Sequence, residues 1–211
     1  MQVTLRSSII VMAMTLVLLA GSGCRPHSPA ATPTTAGIDT FPQQPGLKLV
    51  YRITSTNSNV VSTETTTLVD AKGDLLTYDV LLTAGTVQRR QKFWAVIHDN
   101  AIYDTLQMPV LQKPHGTHSI SGATRVLQFP LVAGVRWTSV DPGGTAFVRT
   151  VEAQEKVTVP AGTFDAVRIL DERNSATGYA WYVPDIGIVK AIISGAHPYI
   201  KELLEVQRPA R

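Results

Sequence analysis

The sequence is poor in the residues that mark a disulfide scaffold, a cysteine-ligated metal site or a nucleic-acid partner. Cys24 is the only cysteine among 211 residues, so one chain cannot form a disulfide or a zinc site of several cysteines. Charged residues make up only 17% of the chain, and 19 Lys and Arg against 16 Asp and Glu give a formal net charge of +3. The basic residues are scattered rather than gathered into a stripe. The sequence therefore predicts no nucleic-acid partner.

Long apolar runs are also missing, although the N-terminus has a short one. The run 9–20 is apolar apart from Thr15 and follows Arg6, but a membrane-spanning helix needs about 20 residues. A basic start, an apolar stretch and then small residues, here Ala20-Gly21-Ser22-Gly23, are typical of a secretory signal peptide. Residues 1–23 are therefore predicted to direct export and to be removed.

Cys24 follows the small residues directly, and this arrangement resembles the lipobox of bacterial lipoproteins, with Gly21 where leucine is usual. In that class the cysteine sulfur takes a diacylglycerol and the preceding peptide is cleaved. The resemblance implies a membrane anchor of acyl chains, palmitate among them, on Cys24. Arg25 stands where an inner-membrane lipoprotein has Asp, so it implies the outer membrane, facing the periplasm. The alternative is an ordinary secretory signal with an incidental cysteine.

The stretch 24–45 differs in composition from the rest of the mature chain. It carries five prolines among Ala, Thr, Ser, Gln and Gly, and such a segment cannot bury a core. At about 3.1 Å per residue it would extend to roughly 70 Å as a tether between membrane and domain. The folded domain is predicted at 46–207.

Alternation of apolar and polar residues dominates the predicted domain. Leu47, Leu49, Tyr51 and Ile53 alternate with polar or smaller neighbours, and the same period of two recurs in most later segments. Short turn signals of two to five residues between these segments require antiparallel neighbours. The predicted class is all-β, a single antiparallel twisted sheet or an open β-barrel or β-roll. A strand is predicted at 200–206, with a short helix near 196–204 as a further possibility, and none is predicted between 129 and 145. A long loop at 108–123 completes the prediction.

Two hairpin motifs and one upstream segment carry a second resemblance. The motifs are Val159-Pro160-Ala161-Gly162-Thr163-Phe164 and Trp181-Tyr182-Val183-Pro184-Asp185-Ile186-Gly187, and Phe129-Pro130-Leu131 with Gly134 and Trp137 precede them. Together they resemble a broad group of exported bacterial β-proteins of unknown function. The resemblance implies a twisted sheet or open barrel in the cell envelope, and it brings no catalytic residues. The same motifs are also explained by turn geometry, with Pro fixing φ and Gly free to adopt a positive one.

No pattern of residues predicts a catalytic or metal site. His115 and His118 lie in a loop with Pro114 and Gly116, which argues against the helical spacing that a metal would require. Neither Ser119 nor Ser121 lies in a nucleophile-elbow motif. Asp70 and Asp74 are explained by a hairpin loop, and Asp171 and Glu172 alternate faces and are predicted to begin an exposed turn with Arg173. No cofactor is predicted.

One strand offers a candidate ligand-binding face. Arg90, Lys92 and Trp94 share a face by the period of two, which suits a small anionic ligand or a lipid headgroup. The competing interpretation is a charged outer face that protects a strand from edge pairing.

These observations predict a lipid-anchored envelope protein that is not an enzyme. Its β domain is predicted to bind a partner protein or an apolar or lipid ligand in the concavity of an open sheet. The alternatives are an envelope enzyme with a dispersed site that no motif reveals, and a purely structural spacer.

Overall fold

The computed structural model of the protein describes residues 36–112, 116–174 and 176–209. Cys24, the predicted signal peptide and residues 24–35 of the predicted tether lie outside them. Within the described residues the fold is all-β apart from one short 3-10 helix, Ile38–Thr40, so the predicted class is confirmed. The strands are β1 Lys48–Ser55, β2 Val61–Lys72, β3 Leu75–Ala84, β4 Val87–His98, β5 Ala101–Thr105, β6 Leu111–Gln112, β7 Thr117–His118, β8 Thr124–Gln128, β9 Arg136–Val140, β10 Ala146–Val159, β11 Gly162–Arg173, β12 Ala176–Val183, β13 Gly187–Ile193 and β14 Tyr199–Gln207.

Twelve of these strands form one antiparallel sheet. Their order is β8-β5-β4-β3-β2-β1-β14-β13-β12-β11-β10-β9, so most neighbours are consecutive in the chain. The first strand and the last also pair, with Lys48 opposite Gln207 and Ser55 opposite Tyr199. This long-range ladder joins the two halves of the meander into one continuous curved sheet. The two remaining strands, β6 and β7, form a separate small hairpin.

The sheet curls until its edge strands, β8 and β9, nearly close a barrel. Side chains rather than a backbone ladder bridge this seam. Ser139 Oγ donates a hydrogen bond to the carbonyl of Arg125, and Thr124 Oγ1 donates to the carbonyl of Val140 at 3.1 Å. Arg149 on β10 also reaches across, with Nη1 2.7 Å from the carbonyl oxygen of Val126. The seam therefore covers both sheet edges that would otherwise expose unpaired backbone groups.

Alternating side chains supply the interior of the barrel. Leu47, Leu49 and Tyr51 are buried as their period of two predicts, and Leu76, Tyr78 and Val80 on β3 are buried likewise. The core continues around the sheet through Leu68, Val151, Ile169, Tyr182 and Leu203. The interior faces of all the long strands thus contribute to a single core.

Residues 36–45, assigned to the tether from their composition, pack on the barrel. Ala36 is buried and forms a β-bridge with Leu131, and Phe41 meets the Phe129 ring edge-on at 6.5 Å between centroids. Tyr182 Oη donates a hydrogen bond of 3.0 Å to the carbonyl of Thr40. The packed part of the chain therefore includes Ala36, ten residues before the predicted start at Gly46.

Three other local predictions need correction. The predicted strand at 200–206 is present as β14, and no helix forms near 196–204, because β14 pairs with β1 on one side and β13 on the other. Strand β9, Arg136–Val140, falls where the sequence predicts no strand, and it is only five residues long. The predicted loop 108–123 also contains the hairpin of β6 and β7.

The hairpin turns of the two motifs have the predicted form. Pro160 and Ala161 connect β10 to β11. In the second motif, residues 184–186 connect β12 to β13, and Gly187 has φ of 104°, a conformation that side-chain-bearing residues rarely adopt. The glycine is therefore required at that position by the backbone.

Candidate functional site

The barrel contains a cavity of about 430 Å³. This volume lies within the range of small-molecule sites, about 300–1,000 Å³. Apolar and aromatic side chains form much of its wall, including Leu49, Tyr78, Phe93, Ile169 and Ile193. Phe41 of the N-terminal segment also lines it, so the packing of residues 36–45 helps to shape the cavity.

Among the described residues, five acidic or basic side chains line the same cavity: Glu64, Asp104, Arg149, Asp171 and Lys201. They come from five different strands, β2, β5, β10, β11 and β14. Four of them lie two residues along the strand from a buried apolar residue, namely Ile102, Val151, Ile169 and Leu203. Since residues two apart share a face of a strand, the fold turns these charges inward.

Four of the five charges form two ion pairs. Lys201 Nζ lies 2.6 Å from Glu64 Oε1, and both side chains are mostly buried. Arg149 Nε lies 3.0 Å from Asp171 Oδ2, and Arg173 contacts the other oxygen of Asp171 at 3.0 Å. Burial lowers the pKa of Arg149, and the charge of Asp171 opposes that shift. These pairs satisfy the charges that the barrel removes from water.

Asp104 is the exception among the five. It has no hydrogen bond or ion pair within the described part of the chain, although its half-buried carboxyl faces the cavity. Burial raises its pKa from 3.8 to about 7, against the opposing charges of Arg149 and Lys201. The cavity thus holds one carboxyl group that has no protein partner and whose protonation changes near neutral pH.

Aromatic rings lie beside the charges. Tyr78 and Phe93 stack with 4.5 Å between ring centroids and an interplanar angle of 3°. Lys201 Nζ lies 4.1 Å from the ring centroid of Tyr51, whose hydroxyl donates to the carbonyl of Ile188. Burial, with the charge of Asp104 as a smaller cause, raises the pKa of Tyr78. The cavity combines apolar walls, aromatic faces and a free carboxyl group, which suits an amphipathic small molecule.

Substituting Arg149 tests whether the inner ion pair holds the barrel together. Arg149→Met is expected to lower the free energy of unfolding by about 3 kcal/mol, because it breaks the pair with buried Asp171 and the bond across the seam. This is the low end of the usual loss, because Arg173 still neutralises Asp171. Urea unfolding followed by tryptophan fluorescence measures the change.

A second methionine substitution supplies the control. Lys156 pairs with Asp165 at 2.8 Å on the surface, with both side chains largely exposed. Lys156→Met is expected to change stability by less than about 1 kcal/mol. Equal losses in the two variants would contradict the role given to Arg149.

The structure places Arg90, Lys92 and Trp94 on the outer face of β4. Their neighbours Phe93 and Ala95 line the cavity, so the alternating residues point away from it. Arg90 is held by Asp79 of the adjacent strand, with Nε 2.9 Å from Oδ2. These three residues remain a predicted ligand-binding face, separate from the cavity. The predicted lipidation site, Cys24, lies outside the described residues.

Other residues considered as site candidates in the sequence make structural contacts. His118 Nδ1 lies 2.6 Å from Asp74 Oδ1, and its backbone N–H donates to the other oxygen of the same carboxylate. Asp171 is buried in the barrel, so the prediction that it begins an exposed turn is wrong. In residues 36–112, 116–174 and 176–209 no three His, Cys, Asp or Glu side chains are grouped to hold a metal. Those ranges also hold no helix of the length and apolar character that crossing a membrane requires.

Sequence reasoning assigns none of the five charged residues to a cavity, and Asp171 is considered only as part of an exposed turn. A usable signal exists, because Asp104, Arg149 and Asp171 each lie two residues along the strand from a buried apolar residue, and so on the same inward face. A charge at an inward position is unusual unless it is paired or functional. The pattern of a single strand does not identify its partners, because β5, β10 and β11 meet only in the folded barrel.

Comparison with known proteins finds a family similar to one segment of the chain and solved structures that share its fold. A family model described as DUF3108-like matches residues 140–191, about a quarter of the chain. This segment is similar to that family. It contains both hairpin motifs found in the sequence. No curated protein matches the chain in sequence.

Two solved structures share the architecture. One is described as an exported protein with a YmcC-like fold from Bacteroides fragilis NCTC 9343. Its TM-score is 0.54 and its identity 13%, over 82% of this chain and 100% of that one. The other is described as a lipoprotein from Parabacteroides distasonis ATCC 8503, with a TM-score of 0.50 and 16% identity, over 80% of this chain and 98% of that one. At these identities the likeness shows the fold alone.

Proposed function

We propose that this protein is a cell-envelope lipoprotein whose barrel binds a small amphipathic or apolar ligand. Export and anchoring are supported by the signal-like residues 1–23 and by Cys24 in a lipobox-like setting. The two structural neighbours, described as an exported protein and a lipoprotein, point to the same compartment. Arg25 favours the outer membrane, facing the periplasm.

The cavity is the observation that carries the ligand-binding part of the proposal. It is about 430 Å³ in volume, and it joins apolar walls to a carboxyl group without a protein partner. A structural spacer has no use for such a space, because an unfilled core loses dispersion contacts and stability. The cavity also favours a ligand over a partner protein, which would dock on the outside.

A role without catalysis is supported by the chemistry of the lining. The described residues that line the cavity include no Ser, Cys or His, and Asp104, whose raised pKa would suit an acid or base, has no nucleophile hydrogen-bonded to it. Its Lys and Arg are each held within 3.0 Å of a carboxylate. Binding is therefore the function that these side chains support best.

Native mass spectrometry of the mature, lipidated protein tests the proposal. The protein is extracted from its membrane into polymer-bounded membrane discs, so that no detergent competes for the cavity. We expect a non-covalent small-molecule adduct at one per chain, beyond any covalent lipid on Cys24. Ala191→Leu adds three carbons to the cavity lining and is expected to reduce the adduct at least about fivefold.

The matched control adds the same three carbons to a residue outside the cavity. Ala146 is exposed on β10, and Ala146→Leu is expected to leave the adduct unchanged. A spectrum without any adduct, or an adduct that Ala191→Leu does not reduce, would argue against ligand binding in the barrel.

A further inference from the structure

Of the five charged groups that line the cavity in the described part of the chain, one carboxyl group has no ion-pair partner. Glu64 and Lys201 pair at 2.6 Å, and Asp171 and Arg149 pair at 3.0 Å. Asp104 is left without a hydrogen bond or ion pair anywhere in the described ranges. We propose that the ligand of this cavity carries an ammonium group that binds the carboxylate of Asp104. This inference rests on the proposed ligand-binding function.

A carboxylate ligand fits the same cavity less well. Its natural partners would be Arg149 or Lys201, and both cations already bind protein carboxylates. To reach either cation, the ligand would have to displace Asp171 or Glu64 and leave that group buried without a partner. Leaving a buried charge unpaired costs several kcal/mol, so the existing pairs favour the cation.

The surroundings of Asp104 suit a cation in two further ways. Ala95 lies directly opposite Asp104 in the ladder between β4 and β5, and its methyl side chain leaves space in front of the carboxyl group. Phe93, two residues along the same strand, stacks on Tyr78 and lines the cavity with it. Ammonium groups are attracted to aromatic faces as well as to carboxylates. A hydrocarbon chain attached to the ammonium would pack along the apolar wall formed by Leu49 and Ile169.

Binding of a cation is also expected to depend on pH. The titratable and charged groups that act on Asp104 are Arg149 and Lys201, which favour its ionised form, and Tyr78, which stays neutral. Because the pKa of Asp104 is about 7, its carboxyl group carries more charge at pH 8 than at pH 6. An ammonium ligand should therefore bind more tightly as the pH rises through that interval.

Calorimetric titration with three probes of equal chain length tests the inference. The mature, lipidated protein is again held in polymer-bounded membrane discs, so that no detergent competes for the cavity, and titrations of discs without the protein are subtracted. Decylamine is expected to bind at one per chain at pH 8, about tenfold more tightly than decanol or decanoate. Its affinity should fall several-fold at pH 6.

Asp104→Asn is the decisive variant, because it keeps the shape of the side chain and removes its charge. It is expected to weaken decylamine about tenfold, to abolish the pH dependence and to leave decanol within about twofold. Asp165→Asn removes a carboxylate from the exposed outer face and is expected to change none of these values.

The outcomes separate this inference from the proposed function. Equal binding of the three probes, or tighter binding of decanoate, would overturn the ammonium assignment while leaving a ligand-binding barrel in place. Decylamine binding that Asp104→Asn does not weaken would overturn it as well. If no probe binds above the background of discs without the protein, or if Ala191→Leu weakens none of them, the ligand-binding function itself fails.

Discussion

Asp104→Asn is expected to make the protein more stable than the parent at pH 8 and to change its stability little at pH 4. Burial raises the pKa of Asp104 from 3.8 to about 7. Between pH 3.8 and about 7, the carboxyl group of Asp104 therefore keeps its proton in the folded protein and releases it in the unfolded chain. The parent's free energy of unfolding then falls as the pH rises from 3.8 to about 7. Above pH 7 this carboxyl group causes no further fall.

The expected gain in stability follows from the difference between the folded and unfolded pKa values of Asp104. Three pH units correspond to at most about 4 kcal/mol of stability, which the asparagine variant would keep at pH 8. Urea unfolding of both proteins at pH 4, 6 and 8 measures it, and Asp165→Asn serves as the control at an exposed carboxylate. A difference between variant and parent that stays constant with pH would show that folding does not raise the pKa of Asp104, and it would contradict this prediction.

Cys24→Ser is expected to abolish the membrane anchor. A thiolate is a far better nucleophile than a hydroxyl group, so serine should accept no diacylglycerol. Two acyl chains contribute about 0.8 kcal/mol for each buried CH₂, enough for stable attachment to a membrane. Cells supplied with labelled palmitate are therefore expected to label the parent and to leave the variant unlabelled, with release of the variant from the washed membrane fraction.

A neighbouring substitution controls for general effects on export. Arg25→Asp keeps the cysteine, so it should keep the label, but its Asp is expected to move the protein from the outer to the inner membrane. A mature protein that begins at another residue and carries no fatty adduct would remove the anchor from the account.

Local features of this fold are readable from the sequence because they depend on neighbouring residues. The period of two in Leu47, Leu49 and Tyr51 gives a strand and its buried face, and Pro160 with Gly162 gives a turn. Exceptions arise where pairing overrides local preference. The run Lys201-Glu202-Leu203-Leu204 has helix-forming residues, yet it becomes β14 because β1 and β13 offer it hydrogen-bonding partners on both sides.

The cavity depends on contacts that no local pattern encodes. Lys201 and Glu64 are 137 positions apart, and Arg149 meets Asp171 only after β10 and β11 have paired. A charged residue in a strand is ordinarily assigned to the outer face, so the inward position of Asp104 is missed unless its spacing of two from the apolar Ile102 is used. The curvature that nearly closes the sheet depends likewise on the distant pairing of β1 with β14.

Methyl-labelled NMR tests the central claim, that the interior of the barrel is the ligand site. The full-length mature protein, with labelled Ile, Leu and Val methyl groups, is titrated with decanol, whose uncharged head makes the test independent of Asp104. Resonances of Leu49, Ile169 and Ile193, which line the cavity, are expected to shift and to saturate at one ligand per chain. Those of Val69 and Val87, which are exposed, should stay in place. Saturable shifts confined to exposed methyl groups, with the three cavity residues unmoved, would contradict the account.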